Sequence, residues 1–320
     1  MTNKDILEKN GGKKIDICLM NPPYDNGLHL KFLKKISEIS NKIVSIQPCN
    51  WLFLQSTRRV TKEVRELVDK YYTEIEVYDG PNTMKLFDGD VASKTNISIN
   101  YIDITRKDNT ILIDGLRDCN IKSKYNSIDD VKLFGQDKIW NSLYKKLVDN
   151  NEEKLESHAN VYKHLPGIIA YFQKVGHVVD KDNVKEFEGK WVVNHGTIIG
   201  DIRKGVYEDA FFCLIGRGSK YIKPYKFEEI KDELKCFYIF DTKEEAQNFI
   251  DYIKTDLFRS IIYMTKLGQA SIVADQYCPW QDFKQKWTDE RLFKKYNITK
   301  EEQDRIRKVL PDYYGIRDKK

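Results

Sequence analysis

Asn21-Pro22-Pro23-Tyr24 is the stretch where residue types and spacing point most directly to a chemistry. It follows the apolar run Ile15 to Met20 and ends it abruptly. Neither proline has a backbone N–H, and Pro22 pushes Asn21 toward an extended conformation. A side-chain amide and a phenol ring therefore sit on a stiff turn. An exocyclic amine on a nucleobase is a poor nucleophile, because its lone pair is delocalised into the ring. The Asn21 side-chain oxygen and a carbonyl in the Pro22-Pro23 turn offer two acceptors for the amine hydrogens. Those bonds would pull the nitrogen toward tetrahedral geometry and stabilise the charge that develops during attack. Tyr24 offers a flat face for a base taken out of a duplex. Without that chemistry, the same residues are a proline-rich turn after a strand.

The elements around the turn are those of an α/β protein. A short apolar run bounded by breakers reads as a buried parallel strand, here residues 15–20, and its carboxyl end is where open α/β sheets bind ligands. Residues 4–10 read as a helix tail capped by Gly11-Gly12. From Gly27 to Ser40, Leu28, Phe32, Leu33, Ile36 and Ile39 have helical spacing, with Lys31, Lys34 and Lys35 as a solvated face. Strands follow at 42–48, 74–78 and 95–102, the last alternating like an antiparallel strand, with a helix over 57–71 between the first two. Residues 79–94 form a turn-rich loop that empties onto the 95–102 strand.

Composition excludes several classes. Hydrophobic residues make up 41% and charged residues 32% of the 320, which fits a soluble globular chain. No apolar run approaches the ~20 residues that span a bilayer, and Met1-Thr2-Asn3-Lys4-Asp5 has no signal-peptide pattern. Six scattered cysteines without a CxxC pair read as reduced core thiols of a cytoplasmic protein, with no zinc site. The five histidines, at 29, 158, 164, 177 and 195, have neither metal nor triad spacing. A net charge of +5 permits a polyanion partner without demanding one.

Beyond the polar stretch 120–130 the texture changes. Residues 131–156 read as helix, 168–172, 191–194, 197–199, 210–215 and 236–240 as short strands, and 243–265 as helix. Basic and aromatic residues alternate in the loops of this region: Arg203, Lys204 and Tyr207, then Arg217, Lys220 and Tyr221, then Lys223, Tyr225 and Lys226. Such loops can hold phosphates and read base edges, or they can be plain solvated loops. Near the C-terminus, Pro279-Trp280-Gln281-Asp282-Phe283 reads as an aromatic anchor before two short helices, with Thr288 and Thr299 as N-caps and Thr299/Glu302 at capping-box spacing.

Asn21-Pro22-Pro23-Tyr24 resembles the catalytic motif of the S-adenosylmethionine-dependent adenine-N6 DNA methyltransferases. The segment from Pro279 to Glu302 is similar to the tail of restriction-modification methylases that couple such an enzyme to a target-recognition domain. The two matches stand in family order at opposite ends of the chain. The resemblance implies an incomplete Rossmann-like methyltransferase sheet, its second half, over 1–120, then an α+β target-recognition domain over 121–275 and a helical tail over 276–320. It implies that Asn21, Pro22 and Pro23 activate the amine of a flipped adenine in double-stranded DNA. Tyr24 would stack on the base, with Phe87 facing it from the other side unless Phe87 is a hydrophobic plug. The Pro48-to-Leu52 stretch would wall the pocket, although Trp51 reads equally as a core residue. Arg203, Lys204, Arg217, Lys220, Tyr221 and Lys223 would contact DNA.

One family feature is missing. The glycine-rich loop and acidic residue that bind the methyl donor normally lie far upstream of the motif, and only 20 residues precede Asn21. No such unit follows Tyr24 in permuted order either. Asn21 is the single residue left as a candidate donor contact. The strand 15–20 would then be an open apolar sheet edge, so a partner chain or a second copy is expected to cover it. The expectation is a split methyltransferase; the alternative is a catalytically inactive DNA-binding or anti-restriction protein.

Overall fold

The computed structural model describes residues 2–24, 27–53, 59–78, 83, 86, 96–116, 122–132, 134–162, 177–179, 183–194, 223–230, 236–265 and 277–310. The chain is mixed α/β and forms two compact units, Met1–Asp137 and a second that begins at Lys138. No described helix is long and apolar enough to cross a membrane.

The first unit is built on six strands: β1 (Ile15–Met20), β2 (Ser40–Pro48), β3 (Tyr72–Tyr78), β4 (Ile97–Asp103), β5 (Ile111–Asp114) and β6 (Ser123–Tyr125), in the spatial order β1-β2-β4-β3-β5-β6. β1 runs parallel to β2, and β4 lies antiparallel between β2 and β3. The helices described in full beside them are α1 (Asn3–Lys9), α2 (Leu28–Ile39), α3 (Asn50–Phe53) and α4 (Arg59–Lys70). Alternation decides which residues meet the helices. Ile43, Ile75, Ile102 and Ile113 share one face and form a single core with Leu30 and Leu33 of α2 and Val64 and Val68 of α4. The opposite face carries Ile17, Leu19, Val44, Ile46 and Ile99, none of them fully buried.

Local chemistry accounts for the boundaries. Thr2 and Asp5 form a capping box at the start of α1, and Gly11 and Gly12, at φ +62° and +78°, end its run. Lys34 pairs with Glu63, whereas Lys31 and Lys35 face water as expected. The polar stretch that reads as a boundary belongs to the first unit. Ser123–Tyr125 is a strand paired to β5, and Ile128 and Val131 join the core beneath α4.

The second unit has a five-stranded sheet, ordered β10-β9-β11-β7-β8, made of β7 (Asn160–Tyr162), β8 (His177–Val179), β9 (Trp191–Asn194), β10 (Tyr225–Lys226) and β11 (Cys236–Phe240). Its helices are α5 (Lys138–Leu147), α6 (Phe227–Ile230), α7 (Lys243–Ile253), α8 (Asp256–Thr265), α9 (Asp289–Lys295) and α10 (Lys300–Val309). The C-terminal segment packs within this unit. The Trp280 backbone N–H donates to the Glu153 carbonyl at 2.7 Å, and the Trp280 ring stacks on His158 with centroids 3.8 Å apart and meets Phe283 edge-on at 4.8 Å. Thr288 and Thr299 cap α9 and α10, the latter in a full capping box with Glu302.

Two helices are shorter than their periodicity predicts. The run 131–156 is α-helical only over Lys138–Leu147, and Gly135, at φ +55°, delays its start. The run 243–265 breaks into α7 and α8 at Lys254-Thr255. The Asp289 carboxylate accepts the Asp256 and Leu257 N–H groups at 3.0 and 2.9 Å, so the second helix starts on a cap supplied from a distant part of the chain. The predicted strands at 168–172, 197–199 and 210–215 lie outside the described residues.

This cap titrates. Burial, reinforced by the neighbouring Asp256 carboxylate, pushes the Asp289 carboxyl from 3.8 up to about 6. A raised folded-state pKa means the folded chain holds the proton more tightly than the unfolded one. The associated stability is complete below pH about 4 and is lost as pH rises through about 6, a difference of about 3 kcal/mol. Thermal unfolding between pH 4 and 7 should show wild type losing stability relative to Asp289→Asn as pH rises. Parallel curves would refute the assignment.

Candidate active site and nucleic-acid surface

The motif lies at the carboxyl end of β1, the edge strand of its sheet. Alternation carries through the turn. Pro22 keeps the phase of Cys18 and Met20 and is buried, while Asn21 keeps the phase of Ile17 and Leu19 and is exposed. Gly27, at φ +75°, then caps α2 without a side-chain hydrogen bond. A left-handed residue there lets the chain reverse from strand to helix in few residues.

Asn21 and Tyr24 are brought together. The Tyr24 hydroxyl donates to Asn21 Oδ1 at 2.9 Å and lies 3.4 Å from the Ile46 carbonyl oxygen of β2. The ring is 37% exposed, and burial of the remainder raises its phenol pKa. Beneath it, His29 of α2 packs edge-on with ring centroids 6.1 Å apart. Burial holds this imidazole below its ordinary pKa, against an opposing hydrogen bond with the Tyr24 backbone, and its Nδ1 has no hydrogen-bond partner. His29 is bland in the sequence because its tie to Tyr24 spans the strand-to-helix turn rather than a spaced motif. The arrangement offers an exposed carboxamide oxygen, an aromatic face at its side and a neutral imidazole as floor.

Past the end of β1, β2 continues with Gln47, fully buried, whose amide oxygen and nitrogen both lack hydrogen-bond partners. Nearby on the same face, Asn100 of β4 donates to Ser45 of β2. Trp51 is a core residue, 3% exposed, so it is packed under the sheet and not presented to solvent. Phe87 lies outside the described residues.

Of the loop residues expected to contact DNA, Arg203, Lys204, Arg217, Lys220 and Tyr221 also lie outside the described residues. Lys223 is exposed, its ammonium 4.9 Å from the centroid of the Tyr225 ring. The fold adds neighbours that spacing could not show. Lys226 and Lys243 place their ammonium groups 4.8 and 5.3 Å from the centroid of Trp191, which is half-buried on β9. Both ammonium groups lie over the Trp191 ring as cation–π contacts, which gathers two positive charges on one aromatic anchor where phosphates can be held. Lys190 beside it is paired with Asp241.

Compared with known proteins, the chain matches no family model and no curated protein sequence.

Proposed function

We propose that this chain is the amine-activating and DNA-recognising part of a site-specific DNA adenine-N6 methyltransferase. The observation that carries the reading is the exposed Asn21 carboxamide beside the Tyr24 ring, on a proline-stiffened turn at the end of a parallel strand. The order β–α–β–α–β followed by an antiparallel strand supports it, because the resemblance implies that order for the second half of a Rossmann-like methyltransferase sheet. The Trp191–Lys226–Lys243 cluster and Lys223 support a DNA-contacting role for the second unit.

The work of these residues follows from their geometry. Asn21 Oδ1 and a carbonyl of the Pro22-Pro23 turn would accept the two amine hydrogens, localising the lone pair on the amine nitrogen and making it a better nucleophile. Tyr24 stacks on the extruded base, and the Tyr24 hydroxyl must leave Asn21 Oδ1 as the amine arrives. The methyl donor, S-adenosylmethionine, supplies an electrophilic methyl group when bound. The described residues do not fit it: the strand-to-helix turn after β1 is the amine site itself, and no described glycine-rich turn offers a second cradle. No step on the donor is therefore assigned to these residues.

The test is a map of N6-methyladenine in cells that carry the gene. A sequence motif methylated with the wild-type chain should lose methylation in an Asn21→Ala strain. An unchanged map overturns the reading and favours the alternative, a catalytically inactive DNA-binding protein. Tyr24 gives a finer check. Tyr24→Phe keeps the ring but removes the competitor for Asn21 Oδ1, so methylation should hold or rise by up to about 10-fold. Tyr24→Ala removes the stacking face and should weaken target binding by about 5- to 150-fold.

A further inference from the structure

The edge of the first sheet is prepared for another chain. Exposed large apolar side chains are few among the described residues, and all but Leu86 fall between Ile17 and Phe32. Ile17 (48% exposed) and Leu19 (73%) stand on the face opposite α2 and α4, and Leu28 and Phe32 project from α2 on the other side. Between them runs β1, paired on one side only. Its outer N–H and C=O groups and the apolar rows above and below make one continuous surface. A six-residue strand is about 20 Å long, and with both rows the footprint reaches the scale of a standard interface, about 800 Å² per partner. Lys9, Lys13, Lys14, Lys31 and Lys35 are exposed around it, opposed by the exposed carboxylates Glu8, Asp16 and Glu38.

We infer that a different polypeptide docks here, adding one strand beside β1 and laying an apolar helix over Ile17 and Leu19, with acidic residues toward the lysine rim. A second copy satisfies the geometry less well. Pairing β1 with its own copy would extend the sheet, yet it would leave Ile17 and Leu19 of both copies side by side and uncovered. It would also bring the two basic rims together. Only a partner bringing a strand and a helix closes the edge and the face at once. Asn21 shares the open face with Ile17 and Leu19, so the same helix would wall the candidate active site. The inference stands on the sheet's geometry and holds without the methylation reading.

The experiment places p-benzoylphenylalanine at Leu19 of the full chain in cells that carry the gene, with Lys107 as the exposed control position. Irradiation should give one adduct at Leu19, absent at Lys107, whose cross-linked peptide belongs to a different protein and includes an apolar strand. That protein, purified and mixed with this chain, should bind one-to-one, and Ile17→Lys with Leu19→Lys should weaken binding by about 100-fold without changing the chain's own melting temperature. An adduct to another copy, to this chain itself or to nothing overturns the inference. So does an adduct equally strong at Lys107, or binding that the lysines do not weaken. Loss of methylation in Asn21→Ala and loss of the complex in the lysine variant are separate readouts, so either result can fail alone.

Discussion

Asn21→Ala should lower single-turnover adenine methylation, measured on the complex purified from cells, by about 10²–10³-fold. Removing one preorganised group that stabilises developing charge costs about 3–4 kcal/mol of barrier. The folded chain should barely notice. Asn21 is exposed and its described hydrogen bond is the one it accepts from Tyr24, so stability should change by less than about 0.5 kcal/mol. Asn21→Asp keeps an acceptor oxygen and should retain more activity than alanine. A large loss of melting temperature in the alanine variant would mean that the turn is a structural clasp, and the kinetic argument would fall.

The largest effect on stability is expected at Arg259. It is 1% exposed on α8 and donates to the equally buried Asp256 carboxylate at 3.2 Å, while Arg307 of α10 approaches the other oxygen of that carboxylate at 3.8 Å. Arg259→Ala leaves a buried carboxylate with one of its two cations gone and opens a cavity besides. The expected loss is about 3–5 kcal/mol. In chemical denaturation this should appear as a lower midpoint for the second unit. The pair Asp256→Leu with Arg259→Met removes both fully buried charges at once and should cost less than Arg259→Ala, because the ion that then loses its partner, Arg307, is partly exposed. If the double variant were the less stable, the pair would be supplying attraction beyond its desolvation cost.

Much of the first unit was legible because its signals are local. The apolar runs of β1 and β2, the helical spacing of Leu28 to Ile39 and the alternation of Ile97 to Asp103 each state an element without help from elsewhere. The strand Ser123–Tyr125 was not legible. Its three residues carry two polar side chains and read as a boundary, and only pairing with Ile111–Ile113 makes it a strand. The break between α7 and α8 was hidden because periodicity runs through it: Thr255 caps the new helix locally, accepting the Phe258 N–H at 3.2 Å, but the group that takes its first two N–H groups is Asp289, far along the chain. At the candidate site, Asn21 to Tyr24 could be named from residue type, whereas His29 and Gln47 acquire meaning through burial and unmet hydrogen bonds. Around Trp191 the same holds. Lys226 and Lys243 come from separate elements and converge through the β9–β10 and β9–β11 pairings.

The position of β4 bears on how the chain is made. It fills the centre of the first sheet, paired to β2 on one side and β3 on the other, yet it is the fourth strand to leave the ribosome. Until Asp103 has emerged, β2 and β3 have no strand between them, and both flanks of the β1–β2 pair stay open. At about 5–20 residues per second, that interval lasts seconds. A nascent chain arrested before Ile97 would present unpaired apolar edges, so truncations there should be captured by chaperones or aggregate, while those ending after Tyr125 contain every strand of the sheet.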